Sequence, residues 1–222
     1  MVPMSDDESS GRAVPKRQLD KKEAVRHMIH GAVRLIVAEE DPFIIHMLVQ
    51  SADKVLIDIA NHDKKPLAFD WAEYIRPEKK KYFFNRFREM YNFFKHADKD
   101  VDTELPVHDI AGFNVITLFV AIQNYRGLFG EITSHMALHN MFVQAVMPGI
   151  FTSEMQPDKL AIFEAGLEGI KTMTPAEFFS LTTEFKRQFA PHFDQERASD
   201  TQDVVDFYCT SFAELRRKDA GE

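Results

Sequence analysis

Between residues 20 and 39 apolar side chains return every three or four positions, at Val25, Ile29, Ala32, Val33 and Ile36, while Glu23, Arg26, His27, His30 and Arg34 fall on another side. This is the period of an amphipathic α-helix with one face turned to a core. Asp41-Pro42 follows, a capping residue before a proline suited to the first helical position. It predicts a second helix to about Ala60, with a core stripe of Ile44, Leu48, Ala52, Val55 and Ile59. After a polar loop over 61–66 and a short helical piece around Trp71, a third long helix is predicted from Pro77 to about Ala97. An acidic connector carrying Asp98, Asp100, Asp102 and Glu104 ends at Pro106. Two further helices, about 108–125 and 129–147, are expected to part near Gly127.

Met147-Pro148-Gly149 combines two residues that stop a helix and is the natural boundary in the chain. Beyond it, helices are expected near 157–171, 175–190 and 201–217, the second opened by Thr174-Pro175 as cap and first turn. No segment alternates with the period of a strand. The pattern therefore predicts an all-α protein: a disordered tail over 1–18, a bundle of about five helices over 19–147, and an acidic helical extension over 148–222.

The 77–97 helix separates its two sides most cleanly. Tyr82, Phe83, Phe84, Phe87, Met90, Tyr91, Phe93, Phe94 and Ala97 share one half of the helical wheel. Lys81, Asn85, Arg88, Glu89, Asn92, Lys95 and His96 share a sector of the other. Arg88, Asn92 and His96 are spaced i, i+4, i+8, so their side chains stack along one line. A guanidinium, an amide and an imidazole in such a row suit a phosphate contact and a proton transfer. In the simpler alternative the stripe is a solvated surface.

The run Tyr91-Asn92-Phe93-Phe94-Lys95-His96-Ala97-Asp98, with Asp41-Pro42-Phe43-Ile44-Ile45-His46-Met47-Leu48-Val49-Gln50-Ser51-Ala52 before it, resembles an uncharacterised bacterial all-helical family. More loosely, residues 25–147 resemble the HEPN superfamily of small helical bundles. There a helix ends in an Arg-(Asn, Asp or His)-x-x-x-His type motif, and a dimer brings two copies together around RNA. Asn92-x-x-x-His96 matches the polar residue and the histidine, whereas Tyr91 stands where the arginine would be, with Arg88 one turn earlier. The resemblance implies a homodimeric module that binds or cleaves RNA, or binds a partner protein. It implies His96 as general acid or base, Arg88 as phosphate contact and Asn92 as the orienting hydrogen-bonder.

Composition narrows the remaining chemistry. Cys209 is the single cysteine, which excludes an intramolecular disulfide and a Cys-based zinc site and points to a reducing, cytoplasmic setting. No secretory signal is expected in residues 1–18, and no apolar run approaches a bilayer span, so no membrane partner is expected. A net charge of -8 argues against indiscriminate nucleic-acid binding, but the acidity is uneven. Lys and Arg number 16 against 18 Asp and Glu in residues 19–147, and 8 against 14 in 148–222. The middle of the chain is thus free to carry a basic face.

Glu131, His135 and His139 also fall at i, i+4, i+8, and Glu23, His27 and His30 stand within two turns of one another. These residue types suit a metal, and a metal-dependent bundle enzyme centred on His135 and His139 is the third functional class beside an RNA-binding module and a non-catalytic interaction bundle. Helical histidines without a supporting motif are more often core residues, so no metal or other cofactor is assigned. Phe178, Phe179, Phe185 and Phe189 are expected to pack in a core rather than to bind a partner. The nine glycines form no phosphate-binding loop.

Overall fold

The structure, a computed structural model, describes residues 18–96, 110–146 and 191–200, with 102, 104, 105, 174 and 177 as isolated positions. The protein is all-α, and no strand occurs among the described residues. The helices are α1 (Lys21–Val37), α2 (Pro42–Asp63), α3 (Trp71–Tyr74), α4 (Pro77–Lys95), α5 (Ile110–Phe129) and α6 (Ser134–Val146), followed by a helical segment over 191–200. The expected helices near 157–171, 175–190 and 201–217, and the phenylalanines 178, 179, 185 and 189, lie outside the described residues, as do the 1–17 tail and the boundary at 147–149.

Side-chain caps open three of these helices, at Asp41-Pro42 as the sequence signals. The Asp20 carboxylate accepts from the Glu23 N–H at 2.7 Å and opens α1. Asp41 accepts from Phe43 N–H at 2.8 Å ahead of Pro42, and Asp70 does the same for Ala72 N–H in α3. Each satisfies a first-turn donor that would otherwise lack a partner. α2 ends on Lys64 in the left-handed region at φ +54°.

α2 packs between α1 and α5, α6 closes against α1 and α5, and α4 lies on α2. The α1 stripe is as expected, with Val25, Ile29, Ala32 and Val33 fully buried. α5 is buried around most of its circumference, from Asn114 and Leu118 through Ala121 and Ile122 to Tyr125, as befits the helix at the centre of a bundle.

Four expectations change. The α2 stripe is turned by about one position: Ile45, Val49, Ala52, Leu56 and Ala60 are buried, whereas Ile44 is 56% exposed. α2 is apolar on several sides, and sandwiching between α1 and α5 selects the line that also draws His46, Gln50 and Asp53 inside. Gly127 does not break a helix but sits within α5. A Cβ there would stand 2.9 Å from the Cβ of Ala68, so the glycine admits the loop after α2. Asn124, one turn earlier, grips the same loop by accepting from Phe69 N–H at 2.8 Å and donating to its carbonyl at 3.1 Å. The break falls instead at Gly130, with φ +71°. His30, read on the polar side of α1, is fully buried. On α4, Tyr82 and Phe94 of the aromatic half are exposed, while Phe87 is buried. Phe87 packs on Phe113 of α5 and on Trp71 of α3, which leaves Tyr82 to solvent. No helix among the described residues is long and apolar enough to cross a membrane.

Candidate functional site

The polar stripe of α4 is present on its outer side. Lys81, Asn85, Asn92 and Lys95 are exposed, and Arg88 and His96 are half-buried. Arg88 lies over the Phe84 ring at 5.8 Å and Lys95 over the Tyr91 ring at 5.6 Å, contacts that steady both cations against the helix. The third member of the expected row departs from the helical line. His96 is the C-cap of α4, at φ -120° and ψ 34°, and donates its backbone N–H to the Asn92 carbonyl at 2.9 Å. Arg88 and Asn92 therefore share a helical face, with His96 at its end.

Behind this stripe lies a group that periodicity did not single out. Asp53 of α2 is 5% exposed, and burial pushes its carboxyl up to about 6 against the opposing charge of Arg88, with Asp70 adding to the rise. On the same side of α2, His46 Nδ1 donates to Asn114 Oδ1 at 2.8 Å. The Asn114 amide is oriented by donation to the Pro42 carbonyl at 2.8 Å, which settles which of its atoms faces the imidazole. Burial lowers the pKa of His46 against that hydrogen bond, so the ring is neutral. His46 Nε2 and Gln50 Nε2 have no protein partner.

A second polar centre lies where α1, the start of α6 and the 191–200 helix meet. Arg34 Nη1 donates to Asp200 Oδ2 at 2.6 Å and reaches His135 Nε2 at 3.3 Å. His30 Nδ1 lies 3.0 Å from the same Asp200 oxygen, and His30 Nε2 lies 2.8 Å from Thr133 Oγ1. Glu196 accepts from Ser134 N–H at 2.8 Å, from His135 N–H at 3.1 Å and from His135 Nδ1 at 2.7 Å. It thereby caps α6 and orients the imidazole in one stroke. The His30 and His135 rings are stacked, 4.3 Å apart and 10° from parallel, and Phe193 covers the other face of His135 at 4.0 Å.

Both histidines are fully buried and Asp200 is 3% exposed. Burial alone would push the two carboxyls up. Hydrogen bonds from His30 and Arg34 outweigh it at Asp200, which is held well below the usual carboxylate range. Those from His135 and the α6 backbone outweigh it at Glu196, held at about 2. His135 is lowered by burial, with Glu196 opposing. A cleft of about 460 Å³ opens beside this centre, lined by Lys22, Glu23, Arg26, Glu131, Thr133 and Glu196.

The Glu131, His135, His139 row does not converge. Glu131 accepts from Lys22 at 2.8 Å and from the Tyr125 hydroxyl, while His139 faces the Val115 carbonyl at 2.9 Å, where burial lowers its pKa to about 4. His135 instead joins His30 and Asp200, whose ligand-type atoms lie within 4.8 Å of one another. Two spacings carried a signal for this centre, His30-x-x-x-Arg34 and Glu196-x-x-x-Asp200, since each sets two polar groups on one helical face. That the two faces meet across 170 positions was not legible in either. No protein-family model, curated protein or solved structure matches the chain.

Proposed function

We propose that the protein binds RNA through the solvent face of α4, as a homodimeric helical module of HEPN-like type. One observation carries this reading. α4 holds six cationic residues against Glu78 and Glu89, a local charge of +4 in a chain of net charge -8. A concentration of positive charge on one helix of an otherwise acidic molecule is an electrostatic footprint for a phosphate backbone. Arg88 is the phosphate contact in this reading, Asn92 a hydrogen-bonder to sugar or phosphate, and His96 at the helix end the group that donates to or accepts from the 2′-hydroxyl. Exposed Tyr82, beside the stripe, offers a face on which a base stacks.

Binding rather than cleavage is the expected activity. Tyr91 occupies the place of a second cation at the motif, and its ring is engaged by Lys95. A tyrosine carries no charge to neutralise a scissile phosphate.

The test is a paired measurement on wild type and His96→Ala: thermal melts beside binding and cleavage of a single-stranded RNA. Because His96 is half-exposed, the substitution is expected to leave the melting temperature within about 2–3 °C and to weaken binding. Loss of stability together with no RNA interaction in the wild type rejects the proposal and leaves a protein-interaction bundle.

A further inference from the structure

We propose that His30, His135 and Asp200 form a binding site for a divalent transition-metal cation, with Arg34 as an internal cation that occupies the site until the metal displaces it. His135 gives its Nδ1–H to Glu196, so its Nε2 carries an inward-facing lone pair, which accepts from Arg34 Nη1 at 3.3 Å. His30 is held on its outer side by Thr133 Oγ1, and its Nδ1 turns inward and donates to Asp200; a metal at Nδ1 takes the place of that proton, which passes to Nε2 so that the ring donates to Thr133 Oγ1 instead. Metal-ligating histidines are set by an outer N–H held by a carboxylate or similar acceptor, which leaves the inner nitrogen to present its lone pair.

Three potential donors, two imidazoles and a carboxylate, thus lie within 4.8 Å of one another in a buried setting. Arg34 Nη1 touches two of them. A second observation points to a ligand. Asp200 Oδ1 is buried with no hydrogen-bond partner, and His27 Nδ1 stands 3.7 Å from it. A buried carboxylate oxygen left in that condition is costly unless a cation or water completes it.

Arg34 is 27% exposed, lies at the rim, and has a long side chain able to withdraw into solvent. With it in place, the two rings stack within 10° of parallel, and one ion cannot lie in both ring planes. Binding therefore couples two movements: the guanidinium leaves, and one imidazole tilts out of the stack while its outer hydrogen bond is kept. The cleft beside Thr133 and Glu196 gives the route in. Imidazole with carboxylate and no thiolate selects zinc, iron(II), cobalt, nickel or manganese over calcium or copper(I).

The experiment uses the full chain without a histidine tag, stripped of metal and titrated with Co²⁺ and Zn²⁺ at pH 7.5 by calorimetry, with the visible bands of Co²⁺ as the signature of ligation. Arg34→Gln removes the competing charge and is expected to bind one ion per chain at least tenfold more tightly than wild type. His30→Gln and His135→Gln are expected to lose the site, while His62→Ala, on an exposed histidine, is expected to leave it unchanged. If the two histidine variants fail to fold by circular dichroism, the gain in Arg34→Gln alone decides. Equal affinity in wild type and Arg34→Gln, no binding by either, or binding retained in a folded His30→Gln overturns the proposal.

Discussion

Asp53 shows how a single buried group sets a pH dependence. Its folded pKa of about 6 lies above the ordinary 3.8, so the folded state holds the proton more tightly than the unfolded chain does. The stability this confers is present below the unfolded value and is lost as pH rises through about 6. Asp53→Asn is therefore expected to stabilise the protein at pH 8, by up to about 3 kcal/mol, and to change little at pH 4. Chemical denaturation at the two pH values measures it, and destabilisation at pH 8 would show that attraction to Arg88 outweighs burial. Asp53, like His30, was not legible as a buried group from periodicity. Each sits on a helix whose polar positions read as solvent-facing. The elements that cover them, α4 over Asp53 and the 191–200 helix over His30, lie far along the chain. The α1 apolar stripe was legible because it needs only one partner face, whichever helix supplies it.

Among the elements, the 191–200 helix is tied to the bundle by charge more than by apolar contact. Phe193 is its one half-buried aromatic, whereas Glu196 and Asp200 reach His135, His30, Arg34 and the start of α6. The depressed Glu196 pKa of about 2 gives the sign. The contribution is full above the unfolded carboxyl value and is lost as pH falls through about 4.5 toward 2. Glu196→Gln is expected to lower the melting temperature at pH 7 by several degrees, the effect of weakening charge-assisted hydrogen bonds worth about 1–3 kcal/mol. The gap between variant and wild type is expected to narrow as pH falls from about 4.5 toward 2, which melts across a pH series will show; a gap independent of pH would mean that the contact is one of packing. By the same logic, truncation after Met147 removes both carboxylates from His30, His135 and Arg34 and is expected to lower the melting temperature of the remaining bundle. In α5, helix ends eluded the sequence reading for a physical reason. Gly127 has the freedom of a helix stop, but its missing side chain is used for contact with Ala68, and the turn is made three residues later by Gly130.

At the scale of the molecule, helical class and helix order followed from unbroken 3.6-residue periodicity and from the Asp41-Pro42 signal. What brings α1, α6 and the 191–200 helix together did not, since it depends on hydrogen bonds between residues more than 100 positions apart. Far-UV circular dichroism is expected to be strongly helical. The charge asymmetry that sets α4 apart from an acidic chain is the basis of the RNA-binding account, and ionic strength probes it most directly. The measurement is fluorescence anisotropy of a labelled single-stranded RNA titrated with wild type and with Arg88→Ala over a salt series. The account predicts binding whose logarithmic affinity falls linearly with the logarithm of salt concentration, with a slope shallower by about 0.7 in Arg88→Ala for the one phosphate contact removed. A wild type that shows no binding at low salt, or a slope identical in the two proteins, would contradict it.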